Sequence, residues 1–312
     1  MPTRMSPGHL LLALALAATW GVNFVVIRAG LDHLPPLFFS ALRFLAAAVP
    51  AILILRSPGV PWRWVLIVAG LLGVLQFGLL FSGMAAGMPP GLTSLVVQAQ
   101  APFTAVFALV MLGERLSGIR IAGLAVAVAG VALIALDLGG AGPIGAFLLV
   151  LGAAAAWGLA NIAMKRAQPP DSLRFMVWVS AASVIPLLAM SALMEGPRRD
   201  LDALRSIPWV AVGSVLFVGL IATVLGFGVW GHLIHTYSAA TVAPFSLLVP
   251  VFGVASAALL LGERISMLKL IAGVLIVLGV LAGALSRTPA RSAPPATPPG
   301  SDRAPLAWSG SR

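Results

Sequence analysis

The sequence predicts an all-α polytopic membrane protein whose ten transmembrane helices form two inverted five-helix repeats. Three observations lead to this fold class. The chain carries few charged residues, its apolar stretches have the length that crosses a bilayer, and two short motifs occur once in each half of the chain. Together these observations place most of the chain in lipid and divide it into two related halves.

The composition is that of a chain surrounded by lipid rather than by water. Hydrophobic residues make up 60% of the 312 residues and charged residues only 9%, whereas a soluble domain carries about 25% charged residues. The mean hydropathy is +1.05. The net charge of +10 is spread over short loops and a tail, so we expect membrane lipid and no nucleic acid as a partner. The chain has no cysteine, which excludes disulfides and thiol catalysis.

Ten apolar stretches reach the roughly 20 residues that a spanning helix needs. The first continues from Leu10 to Ile27, which is too long for a cleaved signal peptide, so we predict an uncleaved first helix. The connections are short and rich in proline and glycine, and the longest, 195–205, is charged. The predicted helices cover residues 9–28, 36–55, 62–83, 90–112, 119–137, 144–164, 173–193, 208–231, 240–261 and 267–285.

The basic residues indicate how the chain is oriented in the membrane. With the N-terminus inside, twelve Arg and Lys residues fall on the cytoplasmic side and six on the outer side. Positive residues accumulate on the cytoplasmic side of membrane proteins. We therefore predict a multi-pass protein of the plasma (inner) membrane with both termini in the cytoplasm.

Two motifs recur in the second half of the chain. Trp20-Gly21 in the first helix is echoed by Trp157-Gly158 in the sixth, and the Gly-Glu-Arg segment 113–115 after the fourth helix is echoed by 262–264 after the ninth. Five helices per copy is an odd number, so the second copy has the opposite orientation, as in many secondary transporters. The domains predicted from this are residues 1–138, residues 139–285 and a disordered Pro-rich cytoplasmic tail, 286–312.

Longer stretches of sequence carry a resemblance to a known family. They cover nearly all of residues 10–285 and include Trp20–Ile27, Pro35–Leu37, Leu42–Phe44, Gly87–Pro89, Gln98–Ala101, Trp230–Gly231 and Val242–Val251. At these motifs the chain resembles the EamA family of the drug/metabolite transporter superfamily, and within it the exporters of O-acetylserine and cysteine.

This resemblance has implications for structure and function. It implies ten helices in two inverted halves, export of small amino-acid-like metabolites, and a cavity lined by helices one, three, four, six, eight and nine. The tail after Ser286 does not belong to the family pattern. The alternative is an exporter of another metabolite, amino acid or drug within the same superfamily.

Polar residues in the fourth helix are candidates for a binding site. Gln100 shares a helix face with Thr93 and Thr104, and Gln98 lies on the neighbouring face. Such amides either hydrogen-bond to other helices or line a cavity. We favour cavity lining because Pro102 follows directly and removes a backbone hydrogen bond, which is tolerated only inside protein or beside water.

Prolines also predict an interruption of the ninth helix, the counterpart of the fourth. Pro244 and Pro250 lie within the predicted span 240–261. Broken helices at corresponding positions of two repeats often mark a transporter's binding site. The breaks therefore point to a substrate site near the membrane midplane, between the two halves.

Asparagine, glutamine and tryptophan side chains in other spans complete the candidate site. Asn23 and Asn161 occupy near-equivalent places beside the two Trp-Gly pairs, and an amide both donates to and accepts from a zwitterionic amino acid. Bonding between helices is an equal alternative for both. Gln76 in the third helix is a further candidate of this kind, and Trp230 is a candidate pocket wall or an interfacial tryptophan.

Arg43 is the basic residue that lies well inside a predicted span. A charge in the middle of a bilayer costs about 2.5–3.5 kcal/mol on insertion scales. Two interpretations remain open for this side chain. It extends outward to the membrane surface, or it holds a substrate carboxylate or a group of internal carbonyls.

Titratable residues elsewhere argue against enzymes and metalloproteins. The nine acidic residues lie in connections, in the tail or at helix ends, which favours facilitated export or coupling by a group that we cannot identify. His232 and His235 have a metal-like spacing without a third ligand nearby, so we expect no metal and no cofactor. An intramembrane enzyme would need a nucleophile and a base within the spans, and a transporter fits better.

Overall fold

The structure, a computed structural model, describes residues 5–52, 57–138, 143–237 and 239–285. All regular secondary structure in these ranges is helical. The predicted tail 286–312 and the predicted domain boundary after residue 138 lie outside the described residues. The all-α prediction is therefore confirmed for the part of the chain that is described.

The first half of this part forms five helices, namely α1 (Pro7–Leu31), α2 (Pro36–Ile52), α3 (Trp62–Ala85), α4 (Pro90–Leu112) and α5 (Gly118–Leu138). Two of them are irregular. α3 is π-helical over Ala69–Gln76, and α4 contains a 3-10 turn over Val97–Ala99.

The second half forms seven helices in the described ranges, namely α6 (Ile144–Ala167), α7 (Ser172–Met194), α8 (Pro197–Arg205), α9 (Trp209–Tyr237), α10 (Ala239–Ser246), α11 (Val249–Leu261) and α12 (Met267–Leu285). α9 is π-helical over Phe217–Leu225. α10 and α11 share one apolar stretch and are separated by a turn at 247–248.

Eight helical stretches of the described chain are long and apolar enough to cross a membrane. These are α1, α3, α4, α5, α6, α7, α9 and the stretch from Thr241 to Leu261 that joins α10 to α11. α2 and α12 contribute shorter apolar segments over Pro36–Val49 and Met267–Gly283. The chain is thus a multi-pass membrane protein, and each predicted span is helical over most of its described residues.

The charged connection between the seventh and eighth predicted spans differs from the prediction. Most of residues 195–205 form the short helix α8. Pro197 stands at its start, where the missing N–H has no partner to lose. Asp200 lies in its first turn and Arg205 in its last turn. The helix dipole favours this arrangement of charges. The charged residues and the proline of this segment predicted a loop. In the structure they stand at the ends of a helix, which they stabilise.

The carboxylate of Glu195 fastens the end of α7 to the start of α2. Its Oε1 accepts from the backbone N–H of Leu37 at 2.8 Å, and its Oε2 accepts from that of Phe38 at 3.1 Å. The Ser191 hydroxyl donates to the same Oε2 at 2.6 Å. The first N–H groups of a helix have no partner within the helix, so Glu195 satisfies two of them from another element.

Two glycines bring helices from different halves of the chain into backbone contact. A Cβ atom added at Gly21 of α1 would lie 2.4 Å from the Cβ of Phe252 and 2.8 Å from the N of Gly253, both in α11. A Cβ added at Gly158 of α6 would lie 2.9 Å from the Cβ of Phe103 in α4. These glycines belong to the repeated Trp-Gly motif, so the motif's role is close helix packing.

Buried apolar side chains from both halves form one continuous core. It includes Ile27 of α1, Phe81 of α3, Val96 of α4, Val150 of α6 and Val218 of α9, each at most 1% exposed. In lipid, close packing rather than the exclusion of water holds helices together. The polar residues described next are therefore enclosed by well-packed helices.

Candidate substrate site

Two groups of polar side chains inside the bundle contain most of the predicted site residues. The first, called the central cluster here, consists of Asn23, Ser40, Arg43, Gln76 and Thr223. The second, called the amide pocket, is lined on its polar side by Gln100, Thr104, Arg120 and Asn161. The sequence predicted one site between the two halves, whereas the structure divides most of the predicted residues between these two groups and places Gln98 in neither.

Arg43 is turned into the protein rather than toward the membrane surface. Its side chain is buried, at 2% exposure, and its Nη1 donates to Thr223 Oγ1 at 3.2 Å. The guanidinium carbon lies 3.7 Å from the ring centroid of Phe44 and 3.6 Å from that of Phe77. Two aromatic rings at this distance stabilise the cation, and the rings are inclined at 80° to each other. Of the two interpretations left open for Arg43, the geometry excludes outward extension.

Most polar atoms of the central cluster have no hydrogen-bond partner among the described residues. They are buried, and a buried polar atom left unpaired costs about 1–3 kcal/mol. Such atoms in a native fold call for an explanation, such as a water, an ion or a ligand. The unpaired atoms are Asn23 Oδ1, Ser40 Oγ, Arg43 Nε and Nη2, and Gln76 Nε2 and Oε1.

The two π-helical segments position this cluster. Gln76 is the last residue of the segment in α3, and Thr223 belongs to the segment in α9. The Thr223 hydroxyl donates to the carbonyl of Val218, five residues earlier, at 2.8 Å, so its oxygen remains free to accept from Arg43. The neighbouring carbonyl of Ala222 accepts from Trp20 Nε1 at 2.8 Å. Single π-helical turns within α-helices occur often at functional sites.

Aromatic side chains border the same stretch of α9. The ring of Trp230 lies 5.4 Å from that of Trp20, centroid to centroid, and Phe227 lies 5.9 Å from Trp20 on another side. Asn23 follows Trp20 by one helical turn on α1. Trp230 is therefore part of an aromatic group next to the central cluster rather than an isolated interfacial residue.

The amide pocket is held by a hydrogen-bonded trio. Asn161 Nδ2 donates to Gln100 Oε1 at 2.9 Å and to Thr104 Oγ1 at 3.0 Å, and the Thr104 hydroxyl donates to the carbonyl of Gln100 at 2.6 Å. The adjoining cavity measures about 220 Å³ and also contacts Arg120 of α5. Bonding between helices and lining a cavity, posed as alternatives for these amides, are both fulfilled here.

Gln98 and the two asparagines are placed differently from the expectation. Gln98 lies in the 3-10 turn of α4, 8% exposed, and does not line the amide pocket. Asn23 belongs to the central cluster and Asn161 to the amide pocket, although the sequence motif makes them equivalent. The two asparagines therefore have different polar surroundings, although both follow a Trp-Gly pair.

The predicted proline interruptions differ in detail. In α4 the 3-10 turn Val97–Ala99 precedes Pro102, which lies inside the regular helical part. α10 continues through Pro244 and ends at Ser246. Pro250 stands in the first turn of α11, where its missing N–H is not needed. The helix breaks are therefore at 97–99 and 247–248, just before Pro102 and Pro250, and not at Pro244.

Three site residues were missed by sequence reasoning. Ser40 precedes Arg43 by one turn, and its side chain is fully buried. Thr223 of α9 and Arg120 of α5 were likewise not singled out as site residues in the sequence. Ser40 could have been predicted, because it lies one turn before Arg43 on the same helix. Thr223 could not, because the π-helical turn that contains it is not recognisable in the sequence.

The two Gly-Glu-Arg segments have the same local structure at opposite ends of α4. Gly113 and Gly262 have φ of +64° and +65°. The N–H of the following Glu114 or Glu263 donates to the carbonyl of Ala108 at 3.3 Å or of Ala257 at 3.2 Å. Such left-handed glycines end helices by satisfying free carbonyls.

Glu263 caps the start of α4, whereas Glu114 follows its end. Glu263 Oε2 accepts from the N–H of Gly91 at 2.9 Å, and Glu114 pairs with Lys165 of α6. α4 has 23 residues, or about 34 Å at 1.5 Å per residue. The two glutamates are thus separated by roughly the thickness of a bilayer.

We predict that Glu263→Gln does not destabilise the protein at pH 8. Burial raises the pKa of Glu263, against the opposing effects of the Gly91 N–H and Lys269. A raised pKa means that the carboxyl group contributes stability at low pH and loses it as pH rises through the folded-state value. The amide keeps an acceptor for Gly91 without a charge. Thermal unfolding in detergent should show the variant at least as stable as the parent at pH 8. As pH falls, the stability of the parent should rise relative to that of the variant.

A larger loss of stability at pH 8 than at pH 5 would contradict this interpretation of Glu263. Glu114→Gln is the matched control, since Glu114 has the same backbone setting but pairs with Lys165 in solvent-exposed surroundings.

Comparison with known proteins agrees with these features. The model of the EamA-like transporter family matches the chain twice, over residues 8–136 and 144–283. The chain belongs to the EamA-like transporter family. This confirms the resemblance noted in the sequence and makes the protein a transporter rather than an enzyme.

Relatives of this EamA-like transporter include proteins described as efflux pumps and exporters. One from Salmonella typhimurium, a probable amino-acid metabolite efflux pump, is 41% identical over 86% of this chain and 92% of its own length. A protein of the same description from Escherichia coli K12 is 39% identical over 88% of this chain and 94% of its own. A probable terminal-alkyne amino-acid exporter from Streptantibioticus cattleyicolor is 29% identical, covering 84% of this chain and 89% of that protein.

A solved structure supports the fold. A crystal structure of another protein superimposes with a TM-score of 0.59 at 19% identity, covering 88% of this chain and 96% of that one. At this level of identity the likeness concerns the fold alone.

Proposed function

We propose that this EamA-like transporter exports small polar, amino-acid-like metabolites of the O-acetylserine and cysteine type. The observation that carries the proposal is the central cluster, whose buried polar atoms have no partner among the described residues and so favour a small polar ligand. The names of the relatives from Salmonella and Escherichia coli support the same substrate class. A superfamily exporter of another metabolite, amino acid or drug is the alternative.

The proposed architecture is ten spans in two inverted repeats, 1–138 and 139–285, followed by a cytoplasmic tail. Three paired features support it. The Gly-Glu-Arg caps lie at opposite ends of α4, π-helical turns interrupt both α3 and α9, and Gly21 and Gly158 make equivalent contacts between halves. α2 and α12, the shorter apolar helices, supply the two spans beyond the eight.

The proposed mechanism is alternating access between the two halves. With both termini in the cytoplasm, as the distribution of basic residues indicates, Arg120 and the amide pocket lie toward the cytoplasmic side, because α5 begins just after Glu114. Substrate then enters through the amide pocket and passes to the central cluster. The Glu263–Gly91 contact closes the outer end of α4 in this arrangement.

The function is tested by efflux from cells that are loaded with labelled O-acetylserine or cysteine. Cells with the gene should lose label faster than cells without it, and a panel of other amino acids and cationic drugs defines the substrate range. Equal efflux of the amino acids with and without the gene would contradict the proposal, and accelerated efflux of the drugs alone would support the alternative.

We predict that Gln100→Leu lowers efflux about fivefold without lowering the amount of protein in the membrane. The substitution removes the acceptor of Asn161 and a polar lining of the amide pocket, and one lost hydrogen bond of about 1 kcal/mol corresponds to a factor of about five. Val110→Leu is the matched control on the same helix, since Val110 is 75% exposed at the bundle surface. Unchanged efflux by Gln100→Leu would remove Gln100 from the transport path.

A further inference from the structure

The guanidinium of Arg43 is enclosed without an anionic partner. The described residues form four ion pairs, Arg28–Asp32, Lys165–Glu114, Arg205–Asp202 and Lys269–Asp137. None of these includes Arg43, whose hydrogen-bond partner is the neutral hydroxyl of Thr223. A buried charge is normally paired, so this part of the bundle lacks one negative charge.

The free atoms of Arg43 define where that negative charge would bind. Nη1 donates to Thr223 Oγ1, and the rings of Phe44 and Phe77, which are inclined at 80° to each other, lie 3.7 and 3.6 Å from the guanidinium carbon. Nε and Nη2, which lie along one edge, are both unpaired. Two parallel N–H groups on one edge of a guanidinium match the two oxygens of a carboxylate.

We infer that Arg43 binds the carboxylate of the exported substrate through its Nε–Nη2 edge. This inference rests on the proposed function and narrows it to substrates that carry a free carboxylate. Ser40, one turn before Arg43 on the same helix, has a buried and unpaired hydroxyl and offers a further donor to the same group.

The other unpaired atoms fit the second charge of an amino acid. Asn23 Oδ1 and Gln76 Oε1 are buried acceptors without a partner, and an ammonium group donates three hydrogen bonds and accepts none. Gln76 directly precedes Phe77, whose ring covers Arg43, and Asn23 follows Trp20, which bonds to the residue before Thr223. The central cluster therefore selects zwitterions and disfavours esters, amides, decarboxylated amines and hydrophobic cations.

The wild-type protein tests the carboxylate requirement without any variant. Purified protein in liposomes takes up labelled cysteine under reducing conditions, with cysteinamide, cysteine methyl ester and cysteamine as competitors. We expect each competitor to be at least about tenfold weaker than unlabelled cysteine, the factor expected when charge-assisted hydrogen bonds are lost. Equal competition by the amide and ester would overturn the inference. Absence of cysteine and O-acetylserine uptake would instead overturn the proposed function.

Variants at Arg43 then assign the preference to this residue. Arg43→Gln should lower the apparent affinity for cysteine at least about tenfold and abolish the preference for cysteine over cysteinamide. Lysine keeps the charge but lacks the two parallel N–H groups, so the apparent affinity of Arg43→Lys should lie between those of the wild type and Arg43→Gln. Arg63→Gln, at an exposed arginine, is the matched control and should keep the preference. A preserved preference in Arg43→Gln would contradict the role of Arg43, and if that variant fails to fold, the competitor series on wild-type protein decides the question.

Discussion

Replacing Gly21 or Gly158 with leucine is expected to abolish folded, active transporter. Each added side chain would start less than 3 Å from atoms of a helix in the other half of the chain. Overpacking a core by a few atoms costs about 1–3 kcal/mol, and a leucine against a facing backbone exceeds that range. We expect little monodisperse protein in detergent and efflux no higher than in cells without the gene.

Each of these helices supplies its own control. A Cβ added at Gly8 of α1 or at Gly145 of α6 meets no atom within 4 Å, so Gly8→Leu and Gly145→Leu should express and transport normally. If Gly21→Leu and Gly158→Leu accumulated and transported as well as these controls, the close approach of α1 to α11 and of α6 to α4 would be wrong.

Glu195→Ala is expected to give the second large effect, a loss of about 2–4 kcal/mol in the free energy of unfolding. The substitution leaves the N–H groups of Leu37 and Phe38 without their acceptors, whereas the Ser191 hydroxyl keeps Asp200 Oδ2 as an acceptor at 2.8 Å. Loss of one capping side chain costs about 1 kcal/mol, and each buried unpaired donor costs about 1–3 kcal/mol. Thermal or denaturant unfolding of the purified protein measures the loss.

Glu195→Gln separates the cap from the rest of the side chain. The amide keeps one acceptor oxygen, so its destabilisation should be smaller than that of Glu195→Ala. Equal stability of the parent and Glu195→Ala would show that the α7–α2 fastening contributes nothing.

The positions of the helices were largely predictable from the sequence. The fourth span was predicted at 90–112, and α4 covers Pro90–Leu112, because proline and glycine mark both of its ends. The missed helix α8 has the opposite composition: it is rich in charged residues, so a search for apolar stretches does not detect it.

The π-helical turns were not predictable. Residues 69–76 and 217–225 contain no proline, and their apolar composition is equally typical of an α-helical span. The direction of the Arg43 side chain was not predictable either. Its depth in the membrane follows from the sequence, but the direction of its side chain depends on Phe77 and Thr223, which lie on other helices.

The division of the candidate residues into two groups also required the structure. The motif makes Asn23 and Asn161 equivalent, yet only Asn161 meets a glutamine on its partner helix, Gln100 of α4. The sequence repeat shows that the two halves are related. The side chains that each asparagine contacts depend on helix packing, which the repeat does not reveal.

Single-cysteine labelling tests the inverted-repeat architecture most directly, since the chain contains no cysteine of its own. Arg115→Cys and Arg264→Cys place one thiol in each Gly-Glu-Arg segment, next to the two glutamates at opposite ends of α4. With a membrane-impermeant maleimide added to cells whose inner membrane is intact, Arg264→Cys should be labelled and Arg115→Cys should react only after that membrane is permeabilised. Labelling of both from the same side would contradict two bundles of opposite orientation.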